Sequence, residues 1–282
     1  MKKLILAGVA LALTSASGMA IAKHHAEGAM AHNDLATVLK SEHRAKDAAR
    51  DKYRNPVATL QFFDVQPTHT VVEYGPGGGW YTRVLLPYLN GSGKYLATNS
   101  DSSLMNITDR KREARAKSWT ERFPDQAAKW TGIDAKKITA FESDEIPDDL
   151  KGKVDRIVIF RSIHGMMNGA RSDSELRNLR AMLNDDGMIG VVQHRAKADA
   201  PFSMSKGTKG YMKQDDVIAL FNLHGFELVR SSEINANAKD TANYEGGVWT
   251  LPPVLRYGEK DRAKYQAIGE SDRMTLLFKK RS

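Results

Sequence analysis

Residues 70–79 constrain this chain most. Thr70-Val71-Val72-Glu73-Tyr74 is short, apolar and β-branched, and it runs directly into Gly75-Pro76-Gly77-Gly78-Gly79. β-Branched side chains favour a pleated strand. Glycines tolerate positive φ and let another group approach the backbone with no Cβ in the way. A helix over residues 80–89 would then offer its free amides and the positive end of its dipole to whatever approaches. Four glycines in five positions exceed what a tight turn needs, so the stretch reads as a ligand loop at the end of a strand. The dinucleotide pattern G-x-G-x-x-G fails, because Trp80 stands where the third glycine should be, and no Gly-Lys-Ser/Thr follows for a phosphate loop.

The rest of the chain alternates between the two periodicities. A helix is expected over residues 34–53, and Asn55-Pro56 reads as a helix start, with a capping side chain and then proline in the first turn. The helix that follows, over 57–63, would turn Leu60 and Phe63 to the core. Strands are expected at 70–74, 94–99, 137–141, 154–160, 188–193, 226–230 and 274–279. Helical patterns fall at 80–89, 103–130, 172–183 and 214–223. Such alternation implies βαβ units: an α/β fold with a Rossmann-like, seven-stranded, mostly parallel sheet and helices on both faces. Ligands of such sheets sit outside the carboxyl ends of the strands, near the reversal of strand order. One domain over 67–282 is expected, preceded by a flexible lead and N-terminal helices over 23–66.

The first 22 residues read as a secretory signal peptide. Lys2 and Lys3 form the positive region, an apolar core of about ten residues follows, and Ala20-Ile21-Ala22 supplies a small-x-small cleavage pattern. A spanning helix needs about 20 apolar residues, so cleavage before Lys23 is expected, with no stable membrane span afterwards and a periplasmic destination. The absence of cysteine excludes disulfides, thiolate metal sites and cysteine nucleophiles. Two lysines and no acid leave with the leader, so a net charge of +8 becomes +6. Charges of both signs are interspersed, without the like-charge runs of a nucleic-acid binder.

An acidic residue closing a first strand, followed by G-x-G-x-G, is the first motif of class I S-adenosylmethionine-dependent methyltransferases, which residues 73–79 resemble. More narrowly, the chain resembles a group of exported proteins described as predicted methyltransferases. The matching residues are Tyr53-Arg54-Asn55-Pro56, Glu73 to Thr82, Phe160-Arg161-Ser162-Ile163-His164, Gln193-His194-Arg195-Ala196, Gly247 to Pro253 and Ile268 to Thr275. The resemblance implies S-adenosylmethionine as cofactor and a small molecule or envelope component as methyl acceptor. It implies that Glu73, Gly75, Pro76, Gly77 and Gly79 hold the methionine end and ribose. The acid that typically accepts the ribose hydroxyls falls at Asn99, with Asp101 two residues on. Glu142, Ser143 and Asp144 become candidates for the adenine, and Arg161 for the cofactor or the acceptor. Tyr211, Tyr244 and Trp249 would cover the edge of the sheet and line an acceptor pocket.

His164 follows the fourth strand and His194 the fifth, so both should project over the carboxyl edge. Histidine titrates near neutrality, which suits a general base if the acceptor must lose a proton. No close ligand spacing supports a metal site. Arg161 and Arg195 make this region positive: they could bind a carboxylate or phosphate on the acceptor, but are expected instead to pair with Glu142, Asp144 or Asp155, and Glu270-Ser271-Asp272-Arg273 to fix the last strand by hydrogen bonds. The alternative function is a lapsed or repurposed periplasmic ligand-binding protein on the same fold.

Overall fold

A computed structural model describes residues 34–281. The leader expected over residues 1–22, and the histidine-bearing lead after it, lie outside the described residues. Seven strands form one sheet: β1 (Thr70–Tyr74), β2 (Lys94–Asn99), β3 (Thr139–Glu142), β4 (Val154–Phe160), β5 (Leu183–His194), β6 (Phe226–Ser232) and β7 (Arg273–Lys280). Their spatial order is β3-β2-β1-β4-β5-β7-β6. The β1–β2, β1–β4, β2–β3 and β4–β5 pairs are parallel, and β7 runs antiparallel to both β5 and β6. This is the mostly parallel, seven-stranded α/β sheet expected of a class I methyltransferase-like fold.

The helices are α1 (Leu35–Leu39), α2 (Asp51–Arg54), α3 (Pro56–Phe62), α4 (Thr82–Leu89), α5 (Arg110–Lys117), α6 (Trp119–Thr131), α7 (Ile163–Asn168), α8 (Ser172–Met182), α9 (Phe202–Ser205), α10 (Gln214–Leu223) and α11 (Arg262–Ile268). They cover both faces, and the strands show it residue by residue. Val72 and Tyr74 of β1, with Ile157 and Ile159 of β4, pack with Leu176 and Leu179 of α8 and Phe221 of α10. Their neighbours in sequence, Val71, Val158 and Phe160, pack on the other side with Leu60 of α3, Leu85 of α4 and Phe123 of α6. Successive strand residues point to opposite faces, so a strand buried on both sides reads as the continuous apolar run seen at residues 154–160.

Two local expectations fail, for visible reasons. The single helix expected over 34–53 is broken into α1, two 3-10 turns and α2. Arg44 is responsible: fully buried, it donates to Asp51 at 2.8 and 3.1 Å and lies 4.9 Å over the Trp80 ring. Folding the segment around that guanidinium outweighs a continuous helix of mixed charge. Asn55 does not cap α3 with its side chain; it adopts the left-handed conformation and its Nδ2 donates to Ile234 O at 2.6 Å.

The chain leaves β1 toward β2 and β3 on one side, then returns past β1 to start β4 on the other. The order therefore reverses between β1 and β4, and the crevice above their carboxyl ends is where such sheets bind ligands.

Candidate active site

The loop after β1 and the turn after β4 meet over that crevice and wall a cavity of about 480 Å³. Gly75 and Gly77 have φ of 62° and 57°. A Cβ on Gly77 would meet only the Gly75 carbonyl oxygen, at 3.9 Å, and one on Gly78 would meet nothing within 4 Å. That part of the loop presents bare backbone to open space. Gly79 is different: a Cβ there would run into the Trp130 ring, so this glycine is required by the contact with α6.

Glu73 lies beneath the loop, 2% exposed, with Oε2 accepting from Thr82 Oγ1 and Tyr95 Oη, each at 2.7 Å. Burial pushes its carboxyl up to about 7, against the pull of those hydrogen bonds. Through Oε2 the Glu73 side chain ties β1 to α4 and β2, while the residue also lines the cavity where the sequence expectation places a ligand contact. Gly75, Pro76 and Gly77 line the cavity with it.

Arg161, Ser162 and His164 line the opposite wall, joined by His194 from the end of β5. The two imidazole rings stand 5.9 Å apart, centre to centre. Gln193 Nε2 donates to Gly210 O at 2.8 Å and faces His164 Nδ1 at 3.3 Å. His164 Nδ1 also lies 3.5 Å from Gln193 Oε1, so the Gln193 amide holds this ring nitrogen in either tautomer. His194 Nδ1 meets the Ser271 hydroxyl at 2.6 Å. Burial lowers the pKa of both rings, that of His194 further, with the neighbouring His164 next in weight. Both are neutral near pH 7.

Trp249 joins the cavity wall, with Leu251 to Val254 beside it. Tyr211 and Tyr244 are not in the cavity lining but pack directly behind it, in a small cluster with Ala196, Ala242 and the lining residues Val248 and Trp249. Tyr211 is fully buried, and its hydroxyl donates to Asp240 at 3.0 Å.

Asn99, Asp101, Glu142 and Asp144 come together at the ends of β2 and β3, outside the lining of this cavity. Asn99 faces Glu142 across the strand pair and accepts from Ser100 N at 3.0 Å. Carboxylate oxygens of Asp101, Glu142 and Asp144 lie within 4.8 Å of one another. Asp101 accepts from Ser103 N and Glu142 from Ser102 N, both at 2.7 Å.

The arginines divide, against expectation. Arg195 binds Asp272 at 3.0 and 3.1 Å and also Glu233. Asp155 is taken by Thr70 N and Asn184. Arg161 pairs with no acidic residue among those described. The last motif does more than fix a strand: Glu270 accepts from Arg50 at 2.7 Å, Arg54 at 3.1 Å and Arg273 at 3.1 Å. It thus ties α2 and β7 together at the cavity wall. Arg50, Arg54, Trp80 and Glu270 are cavity residues that sequence reasoning did not single out as site residues. Arg54, Trp80 and Glu270 each fall inside a matching segment, which was the available signal.

No protein-family model matches this chain, and no curated protein matches it in sequence. Solved structures resemble it in shape. A methyltransferase of Aquifex aeolicus, described as S-adenosylmethionine-dependent, is 15% identical, with a TM-score of 0.47, over 72% of this chain and 94% of its own. Human N-acetylserotonin methyltransferase, solved in complex with S-adenosylmethionine, is 13% identical (TM-score 0.48) over 88% of this chain and 57% of its own. The Burkholderia thailandensis 1,6-didemethyltoxoflavin-N1-methyltransferase, with S-adenosylhomocysteine bound, is 12% identical (TM-score 0.44) over 88% and 87%. At such identities the fold of this chain rests on its own strand order and its chemistry on its own residues.

Proposed function

We propose that this chain is an S-adenosylmethionine-dependent methyltransferase acting on a small molecule. The observation that supports it is the bare backbone of Gly77 and Gly78, opening at the reversal of strand order onto a cavity that also holds His164 and His194. The residues fit the cofactor. Its amino-acid end carries no phosphate and asks for exposed amides, which Gly77 and Gly78 offer; the Gly75 amide is held by Thr98 O and Pro76 has none. Its ribose hydroxyls ask for acceptors. Asn99 is no acid, but Glu142 stands beside it in the strand register, and Asp101 is two residues on. Glu142 and Asp144 are the candidates for the adenine amino group.

When bound, the cofactor supplies a methyl group on a sulfonium; the acceptor's electron pair forms the new bond while the carbon–sulfur pair stays on sulfur. Everything else falls to the chain. Holding the acceptor in line contributes roughly 7–11 kcal/mol in the best cases. His194, oriented by Ser271, keeps a ring nitrogen free to take a proton from the acceptor. His164, oriented by Gln193, can hold the acceptor in place through its second ring nitrogen. Trp249 covers the wall and excludes water.

Export is part of the same proposal, supported by the leader pattern of residues 1–22. Equilibrium dialysis with S-adenosylhomocysteine tests the site. Gly77→Ala should weaken binding at least tenfold, since its Cβ would occupy the open side of the loop. Unchanged affinity in the variant removes the loop from the site.

A further inference from the structure

We propose that Arg54, Arg161 and Trp80 form a carboxylate subsite in this cavity, and that the acceptor is a small carboxylic acid with an apolar body. The acceptor half of this inference rests on the methyltransferase reading of the same cavity. Three nitrogens carry it. Arg54 Nη1, Arg161 Nη1 and Trp80 Nε1 are each shielded from solvent, and none has a hydrogen-bond acceptor among the described residues. All three residues line the one cavity. Buried polar groups nearly always find partners, and leaving one unmade costs about 1–3 kcal/mol, more for a charged group. These three can only donate. What completes them must only accept.

The charges point the same way. Glu270, the carboxylate on Arg54, is already shared with Arg50 and Arg273. Arg83, also on the wall, is held by Asp47 at 3.0 Å. Arg161 has no direct ion-pair partner among the described residues; Glu270 acts on it only through space. Its backbone adopts φ 58°, a left-handed conformation costing about 1–2 kcal/mol for a side chain of this size. Its amide is fixed to Val192 O at 2.6 Å. An arginine held in a strained conformation, without a direct carboxylate partner and beside His164, is well placed to receive a negative group from a ligand.

The cofactor also owns a carboxylate, but an ammonium sits one carbon from it. The carboxylate in this corner, Glu270, is already engaged by Arg50, Arg54 and Arg273, so a carboxylic acid without an amine suits the three donors better than that ammonium does. The planar guanidinium fork matches a carboxylate. The stacked Tyr81 and Phe160 rings and Trp249 supply an apolar wall for the body of such an acid.

The test follows the indole N–H of Trp80 in nitrogen–proton correlation spectra, identified by its loss in Trp80→Phe. Benzoate and 3-phenylpropionate are titrated with and without saturating S-adenosylhomocysteine, against benzamide and inorganic phosphate. The expected result is a downfield shift of that resonance by both acids, with affinity at least tenfold above benzamide and above phosphate. Arg161→Gln should cost the acids at least tenfold, and more than it costs S-adenosylhomocysteine. Arg161→Lys, which keeps the charge and safeguards the fold, should fall between. No response to either acid from folded wild-type protein overturns the subsite, as does tighter binding of phosphate. An equal or larger loss of S-adenosylhomocysteine affinity in Arg161→Gln hands the corner to the cofactor's own carboxylate and overturns the acceptor assignment. If wild-type protein binds the acids but no S-adenosylhomocysteine, the methyltransferase reading fails and the subsite stands.

Discussion

His164 and His194 share a cavity but are held by partners that give them different work. The Gln193 amide holds His164 through Nδ1, and Ser271 holds His194 through its own Nδ1. Burial lowers both pKa values, so each ring remains neutral until the pH falls below its ordinary 6.5. The unfolded chain takes up those protons first, so the fold loses stability as pH drops from 6.5 toward the lowered values. A proton-resonance titration should give both midpoints below 6.5, with His194 the lower; a midpoint at or above 6.5 for either contradicts the placement. With a turned-over acceptor, His194→Asn should lower kcat about 100-fold or more. Glu73 titrates the other way. Its folded pKa of about 7 lies above the ordinary 4.5, so its contribution is intact below 4.5 and is lost as pH rises to about 7. Glu73→Gln removes that penalty. Chemical denaturation should show the variant gaining on the wild type between pH 5 and 8, by on the order of 3 kcal/mol; a difference independent of pH contradicts the buried, strained carboxyl. At this scale the sequence showed that position 73 is acidic and next to the loop. It could not show that Thr82 and Tyr95 would occupy its carboxylate, because those partners come from α4 and β2.

The glycine loop is one element doing two jobs, and substitutions should separate them. Gly79→Ala would drive a methyl group into Trp130 and should destabilise the fold by several kcal/mol, as overpacked or strained sites do. Gly77→Ala meets open space and carries only the backbone cost of about 1–2 kcal/mol. Thermal unfolding should rank Gly79→Ala well below Gly77→Ala, while ligand affinity among folded protein suffers at Gly77. The reverse ranking would refute the division. Helix α2 and the start of β7 form the other functional junction. Glu270→Ala leaves Arg50, Arg54 and Arg273 mutually unscreened, and breaking such a buried ion pair costs about 3–5 kcal/mol. A loss under 1 kcal/mol would show that water compensates these arginines. Strands such as 70–74, 94–99 and 154–160 were legible to the residue, because β-branched runs bounded by turns leave little choice. The segment 34–53 was not, because burying Arg44 against Trp80 is a tertiary decision that helical periodicity does not record.

Across the whole molecule, the reversal of strand order between β1 and β4 brings together residues 75–79, 161–164 and 249–254, which lie far apart in the chain. The alternation of periods made that architecture readable, and with it the side of the sheet where chemistry belongs. What stayed hidden was which charges would find partners. Arg161 and Arg195 look alike in sequence, and only the structure shows that Asp272 and Glu233 pair with Arg195 while Arg161 has no direct ion-pair partner among the described residues. Among the described residues no helix is long and apolar enough to cross a membrane. The proposed export is checked separately: mass spectrometry of protein recovered from its cells should find a chain starting at Lys23, and an intact Met1 would contradict cleavage. The central claim is cofactor binding. Calorimetric titration of purified, extensively dialysed protein with S-adenosylmethionine and S-adenosylhomocysteine tests it most directly. The account predicts one site with micromolar affinity for both; well-folded protein that binds neither would contradict it and leave a ligand-binding protein built on a methyltransferase-like fold.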